Sequence, residues 1–208
     1  MDARRTDVLK ASPRMFESDL LDRLSRVHPV VPVLIFLPVI TVLAGTAAER
    51  MGPLETLAWI GGGYLFWGLF EYWLHRVVFH FEPEGGVGAR LHWIMHGVHH
   101  DHPNDPMRLV MPPSVSVPLS LAFYAGFYVV LGSTYALAFG AGFFAGYLAY
   151  DMTHYYVHHF RPRSRLGKRL RELHMRHHFQ DDTRGFGVSA PWWDHAFGTA
   201  PRSRRGEH

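Results

Sequence analysis

The sequence contains no cysteine. That excludes disulfides and thiolate metal sites, so any metal must be held by imidazole and oxygen ligands. A strong charge of either sign is also lacking: 21 Lys and Arg against 18 Asp and Glu leave a formal net charge of +3. Nothing in so small a balance suggests a nucleic-acid groove, and no nucleic-acid partner is expected. No signal-peptide pattern opens the chain, because the first apolar run begins late and lacks a small-residue cleavage site. Internal repeats and low-complexity segments are missing too. The HExxH arrangement of zinc proteases does not occur: Gly97 follows His96 and Tyr155 follows His154, where a general base would be needed. Glu71–His75 is a single ExxxH, so the paired ExxH motifs of soluble di-iron carboxylate proteins are absent as well.

Mean hydropathy is near zero, at -0.05, but that average hides long stretches without charge. Val30 to Ala48 is a 19-residue uncharged run, enough to cross a bilayer core at about 1.5 Å per residue. Pro32 and Pro38 inside it predict a kink. Thr56 to Phe70 is a second run, of 15 residues, whose Gly61, Gly62 and Gly63 suit close helix contact. The third run holds 42 uncharged residues between Arg108 and Asp151. As helix it would measure roughly 63 Å, about twice a bilayer core of roughly 30 Å, so a hairpin is predicted at Gly132–Thr134. The expected fold is an all-α integral membrane protein: four transmembrane helices in two hairpins, with a cytosolic helical cap.

Lys and Arg set the orientation. The first 28 residues carry six, the segment between the second and third spans three, and the tail after Asp151 eleven; the other two connections carry one and none. The positive-inside rule then puts both termini and the cap on the cytoplasmic side. Residues 1–28 read as a polar tail, or as an interfacial helix over Phe16–Val27. Residues 29–200 read as the main domain and 201–208 as a disordered end.

What the sequence has in excess is histidine. Four blocks hold 13 of the 16: His75 and His80; His92, His96, His99, His100 and His102; His154, His158 and His159; His174, His177 and His178. On a helix, residues three and four apart share a face. His96, His99 and His100 fit that spacing, as do His174, His177 and His178, and His154 with His158. Each set is therefore expected to aim several rings at one point. His75 and His80 are five apart, about 140° round an ideal helix, so one must sit at a helix end or on a distortion. Ten imidazoles are too many for one metal and suit two. Imidazoles near lipid are costly unless paired or ligated. Iron, zinc and copper all accept such ligands; a neutral site with open positions suits redox iron that activates dioxygen.

Five stretches carry a family likeness: HRVVFH at 75–80, HGVHH at 96–100, YDMTHYYVHH at 150–159, HMRHHF at 174–179 and FGVSAPWWDHAFGT at 186–199. They resemble the membrane fatty acid hydroxylase and sterol desaturase superfamily. RLVMPP at 108–113 and YDMTHYY at 150–156 bring the chain closest to fatty acid 2-hydroxylases, the sphingolipid alpha-hydroxylases. The resemblance spans roughly residues 55–200. It implies metal ligands at His75, His80, His96, His99, His100, His154, His158, His174, His177 and His178, holding two metal ions. Iron is expected for activity, zinc is able to occupy the purified site, and O2 is the co-substrate. Asp105 and Asp151 are expected to orient ring N–H groups. His92, His102 and His159 are left outside the ligand set, and His28, His195 and His208 are read as packed or surface residues.

The implied reaction inserts one oxygen atom beside the carboxyl carbon of a long fatty acid or acyl lipid. Either its chain runs along the Phe- and Tyr-rich faces of the third and fourth spans, or those aromatics are plain helix packing. Relatives often carry an N-terminal b-type cytochrome domain, for which about 28 polar residues leave no room here. A separate electron-transfer protein is therefore expected, a b-type cytochrome or a ferredoxin with its reductase. The expected location is a bacterial inner membrane, or the endoplasmic reticulum if the source is eukaryotic. A hydroxylase or desaturase of another lipid, such as a sterol or carotenoid, would share the metal site. A metal transporter would instead place its ligands at mid-membrane rather than at span ends.

Overall fold

A computed structural model of the chain describes residues 3–202. Its elements are α1 (Ala3–Lys10), α2 (Asp19–Leu24), α3 (Val30–Arg50), α4 (Pro53–Trp73), α5 (Gly86–His92), α6 (Val98–Asp101), α7 (Pro113–His159), α8 (Arg165–Phe179) and α9 (Trp192–Ala196). Two π-helical segments, Leu74–Phe79 and Trp93–Gly97, interrupt the series. No strand occurs among the described residues. The end read as disordered falls largely on 203–208, which with His208 lies outside the described residues.

Among the described residues two helices are long and apolar enough to cross a membrane, Val30–Arg50 and Pro113–His159. α4 has the same 21-residue length as α3. Gly52 and Pro53 start α4, the proline at a position where its missing N–H costs nothing. α7 turns on itself at Gly132, where φ is 78° and ψ 170°. Only glycine adopts that conformation readily, and it falls within the hairpin predicted from sequence.

α4 packs against the second half of α7 with backbones in contact. A Cβ on Gly63 would lie 2.0 Å from the Phe139 carbonyl oxygen, and one on Gly142 would lie 1.9 Å from that of Ile60. Gly61 and Gly62 face open space. Successive helical residues point about 100° apart, so one glycine of the triplet serves the contact.

Phe36, Trp67, Phe143, Phe144, Tyr147 and Tyr150 form the core of the bundle. Trp67 meets Phe143 edge-on at 5.1 Å and Tyr147 at 5.3 Å. Phe70, Phe123 and Phe127 pack on the same cluster. The Phe and Tyr faces of the two halves of α7 thus pack between helices, the second of the two readings the sequence allows. Tilted and edge-on ring pairs gain from the ring quadrupole as well as from contact area.

The N-terminal segment is strapped to the rest. The Leu9 carbonyl accepts the Asn104 N–H at 3.0 Å, and the Val27 N–H donates to the Met107 carbonyl at 2.6 Å. Arg108 reaches Asp22 at 2.8 Å, and Arg90 donates to the Met15 carbonyl. Burial would raise the Asp22 carboxyl, but the Met15 N–H, Arg26 and Arg108 outweigh it and hold the group at about 2. Met15 and Val27 are buried beneath this strap.

Candidate metal centre

The histidine block at the end of α4 uses a π-helical turn. His80 donates its backbone N–H to the His75 carbonyl, five residues back, at 3.2 Å. The wider turn brings residues five apart onto one side, which is the distortion their spacing requires. His96 lies in the second π-helical segment, with His99 and His100 on α6 directly after it. α7 presents His154 and His158 at its end, and α8 presents His174, His177 and His178. Ser164 caps α8 by accepting the Gly167 N–H at 3.1 Å.

All ten histidines singled out from sequence come together, in two groups of five. His75, His80, His96, His100 and His177 form the first, and His99, His154, His158, His174 and His178 the second; within each, the candidate ligand atoms all lie within 4.8 Å of one another. The two groups touch: the His100 and His178 rings stack with centroids 4.2 Å apart.

The expectation that each spaced set converges on one point needs correction. His96 and His100 go to the first group while His99 goes to the second. His174 and His178 go to the second while His177 goes to the first. On a helix, i+4 lies about 40° to one side of i and i+3 about 60° to the other. A helix between two sites therefore sends its i,i+4 pair to one and its i+3 residue to the other.

Inside each group the Nε2 atoms crowd together. In the first, His75 and His96 are 3.1 Å apart, His80 and His177 3.1 Å, and His96 and His100 3.0 Å. In the second, His99 and His154 are 3.0 Å apart, His158 and His174 2.8 Å, and His174 and His178 3.1 Å. Nitrogens bound to one ion at about 2.0–2.1 Å sit roughly 2.9 Å apart at 90° and roughly 3.4 Å apart at the tetrahedral angle. The observed spacings have the size of such polyhedron edges, so the donor set fits one ion per group.

Electrostatics agree with that fit. Burial, reinforced by neighbouring imidazoles, holds His75, His96, His99, His174 and His178 well below the usual histidine range. The same causes bring His80 and His100 to about 3. Burial lowers His177 too, against the pull of the Arg184 carbonyl and nearby acids. Neutral rings with inward lone pairs are what a metal site requires.

Asp105 and Asp151 do not orient these rings. Asp105 accepts the Met107 N–H at 2.9 Å and lies 4.0 Å from Arg108. Asp151, on α7, is buried, and its Oδ2 meets no hydrogen-bond partner among the described residues. Backbone carbonyls take the role instead: His75 Nδ1 lies 2.7 Å from the Phe186 oxygen, and His177 Nδ1 lies 2.8 Å from the Arg184 oxygen. Buried Asp194 fixes that loop by accepting the N–H groups of Phe186 at 2.9 Å and Gly187 at 2.8 Å and the Thr199 hydroxyl at 2.8 Å. Glu71 ties the loop to α4 by accepting the Ser189 N–H at 2.8 Å and its hydroxyl. Sequence reasoning missed Asp194 and Glu71 as supports, although both stand in or beside the stretches that carry the family likeness.

The remaining described histidines stay outside both groups. His102 Nδ1 meets the Val8 carbonyl at 2.6 Å, and His92 lies 3.9 Å from Glu82. His159 packs on Tyr155, with centroids 4.3 Å apart.

Comparison with known proteins agrees with this architecture. The family model for fatty acid hydroxylase matches residues 60–199. The chain is 37% identical over 202 residues to the dihydroceramide fatty acyl 2-hydroxylase FAH1 of Arabidopsis thaliana, covering 94% of this chain and 83% of that protein. It is 39% identical over 173 residues to the ceramide very long chain fatty acid hydroxylase SCS7 of Saccharomyces cerevisiae, covering 82% of this chain and 44% of that protein. A solved structure of full-length Scs7p, in which only the hydroxylase domain is visible, superposes with a TM-score of 0.84 at 35% identity. That superposition covers 89% of this chain and 72% of the other. With two five-histidine groups, an all-helical frame and these relatives, the chain belongs to the fatty acid hydroxylase family.

Proposed function

We propose that the protein is a membrane-bound, dinuclear-metal, O2-dependent hydroxylase that adds a hydroxyl at the 2 position of long-chain fatty acids or fatty acyl groups. The observation that carries this reading is the pair of five-histidine groups, in a chain whose relatives are named as fatty acyl and fatty acid 2-hydroxylases. His75, His80, His96, His100 and His177 would hold one metal ion. His99, His154, His158, His174 and His178 would hold the other. Two redox metal ions, iron for activity, would supply dioxygen activation. The balance is one C–H bond, O2, two electrons and two protons in, and one C–OH and one water out.

The chain's own residues do the positioning. The Phe186 and Arg184 carbonyls fix the tautomers and planes of His75 and His177, leaving Nε2 free to donate. Phe79 stacks on His96 with centroids 5.0 Å apart and shields that side of the first group. Regioselectivity then depends on where an acyl chain can lie beside the groups, which is a matter of orientation more than of added chemistry.

α3, α4 and the two halves of α7 are read as four spans in two hairpins, with the histidine cap and both termini on the cytoplasmic side. The distribution of Lys and Arg supports this orientation. Electrons are taken to come from a separate carrier, a b-type cytochrome or a ferredoxin with its reductase.

The test is lipid analysis of cells that make the protein under labelled dioxygen, with a carrier supplied. Label on the carbon next to the carboxyl group is expected. Label on a sterol or carotenoid ring would move the chain to a different lipid. Absence of label in every lipid, with metal and reductant present, would overturn the hydroxylase reading.

A further inference from the structure

The two faces of α8 differ sharply. Its inner face buries Leu173, His174 and His177. Its outer face and the residues leading into it are cationic: between 161 and 176 stand seven Lys or Arg and one acid, Glu172. Glu172 is taken up by Arg176 at 2.6 Å and Arg169 at 3.6 Å. Arg171 donates to the Val157 carbonyl at 2.6 Å. Arg161, Arg163, Arg165 and Lys168 are exposed, and among the described residues none of them has an ion-pair partner. The cap's exposed acids Glu82, Glu84, Asp101 and Asp182 lie on other segments. A shallow groove of about 440 Å³, lined by Arg161, Pro162, Lys168, Arg171, Glu172 and Met175, runs along this face.

We propose that the outer face of α8, with the Arg161–Lys168 approach to it, is the docking surface for an acidic one-electron carrier protein. The proposal rests on the hydroxylase reading, which requires two electrons from outside the chain for each turnover. α8 is the natural wall to cross. Met175, in the groove, is the chain neighbour of His174, so a carrier seated there is one helix thickness from the second histidine group. Lys168 and His174 are six positions apart, a rise of roughly 9 Å along the axis. Leu166 is 69% exposed amid the cations. A docking face with an apolar contact inside a charged rim has this composition.

Anionic lipid head groups are the competing partner for a basic segment that follows a membrane helix. Geometry favours the protein. From Gly132 to His159 the second half of α7 rises roughly 40 Å, about 10 Å more than a hydrocarbon core. The cations that follow therefore stand at the outer edge of the head-group layer or beyond it.

The experiment uses the full chain in nanodiscs and a triple variant, Arg163→Glu, Arg165→Glu and Lys168→Glu, with Lys10→Glu on α1 as the control reversal. Two acidic probes are used, the soluble haem domain of a b-type cytochrome and a plant-type [2Fe–2S] ferredoxin. Binding is measured without turnover, so it does not depend on which lipid is hydroxylated or on whether one is. The expected result is binding of at least one probe, weakened about tenfold or more in the triple variant at low salt. That difference should shrink at high salt as the charges are screened. The carrier KM should rise with kcat nearly unchanged, while metal content and Lys10→Glu stay at wild-type levels. Equal affinity in wild type and triple variant, or no binding of either probe to wild type, overturns the proposal. So does a loss that depends only on anionic lipid in the nanodisc, which would assign the face to head groups. Failure of the hydroxylase reading looks different: no lipid product even with dithionite as reductant, whatever the carriers do.

Discussion

The two histidine groups are built by opposite means. In the second, four of five rings come as i,i+4 pairs from the regular helices α7 and α8, with His99 added from α6. In the first, the rings come from two π-helical segments, a helix end, a four-residue helix and one turn of α8. Regular helices fix ring directions by backbone geometry alone. Short distorted segments cannot, and in this group the loop at 184–186 clamps His75 on its π-helical turn and His177 on α8 by their Nδ1 atoms. In the second group, the buried Nδ1 atoms of His158, His174 and His178 meet no such acceptor among the described residues. The second site thus rests mainly on helix geometry, while the first adds tertiary hydrogen bonds at His75 and His177. The two should therefore fail under different perturbations.

The largest effect should come from removing a ring. His177→Ala in the first group and His99→Ala in the second should each abolish product, because the reading requires both ions. His28→Ala and His195→Ala should leave turnover nearly intact. His102→Ala is the sharper control, since its ring bonds the Val8 carbonyl although it stands in the densest block. Loss of product in that variant equal to that in His99→Ala would show that the grouping has been misread.

A smaller effect, confined to one site, is expected from Asp194→Asn. It weakens the anchor that sets the Phe186 carbonyl against His75. Changes of this kind cost about 10–100-fold in metal affinity. Chelator titration should show the first site released early and the second unchanged. Equal weakening of both would remove the distinction between the groups.

Acid should act on both. His80 and His100 sit at about 3 in the fold, against about 6.5 for a free ring. Between those values the unfolded chain binds protons that the folded chain refuses, so stability is full above pH 6.5 and falls as pH drops toward 3. Bound metal steepens the loss, since it too needs neutral rings. Thermal melts from pH 7.5 to 4 should show a falling Tm with metal release; a Tm that rises over that range would contradict the depressed values.

The smallest effect is expected at the strap. Asp22→Asn removes the charge opposite Arg108 and should cost roughly 1–2 kcal/mol of stability. Denaturant unfolding should show that loss, with metal lost equally from both sites. The strap holds the segment that supplies His96, His99 and His100 to both groups.

Much of this was legible in the sequence because the signals are periodic. Uncharged runs marked the long helices, Gly132 marked the turn, and i,i+4 spacing marked the rings. The five-residue gap from His75 to His80 even announced a distorted helix. What the sequence could not give was the sorting of rings into groups, because that depends on which sides of α6 and α8 face which site. Nor could it give the carbonyl clamps, since a backbone oxygen has no residue type to recognise. Acids were the visible choice for orienting histidines, but Asp105 proved to serve the loop at 105–108, and the buried Asp151 Oδ2 meets no partner among the described residues. The aromatic faces left two readings open for the same reason: a ring that packs and a ring that lines a path are one letter.

Metal counting tests the central claim most directly. Protein purified without chelators should carry two ions per chain, whether iron or zinc, and His177→Ala and His174→Ala should each retain about one. X-ray absorption should show nitrogen ligands in both variants, because each surviving group is all imidazole. A wild-type count near one or zero would contradict the account, as would loss of both ions from either single variant.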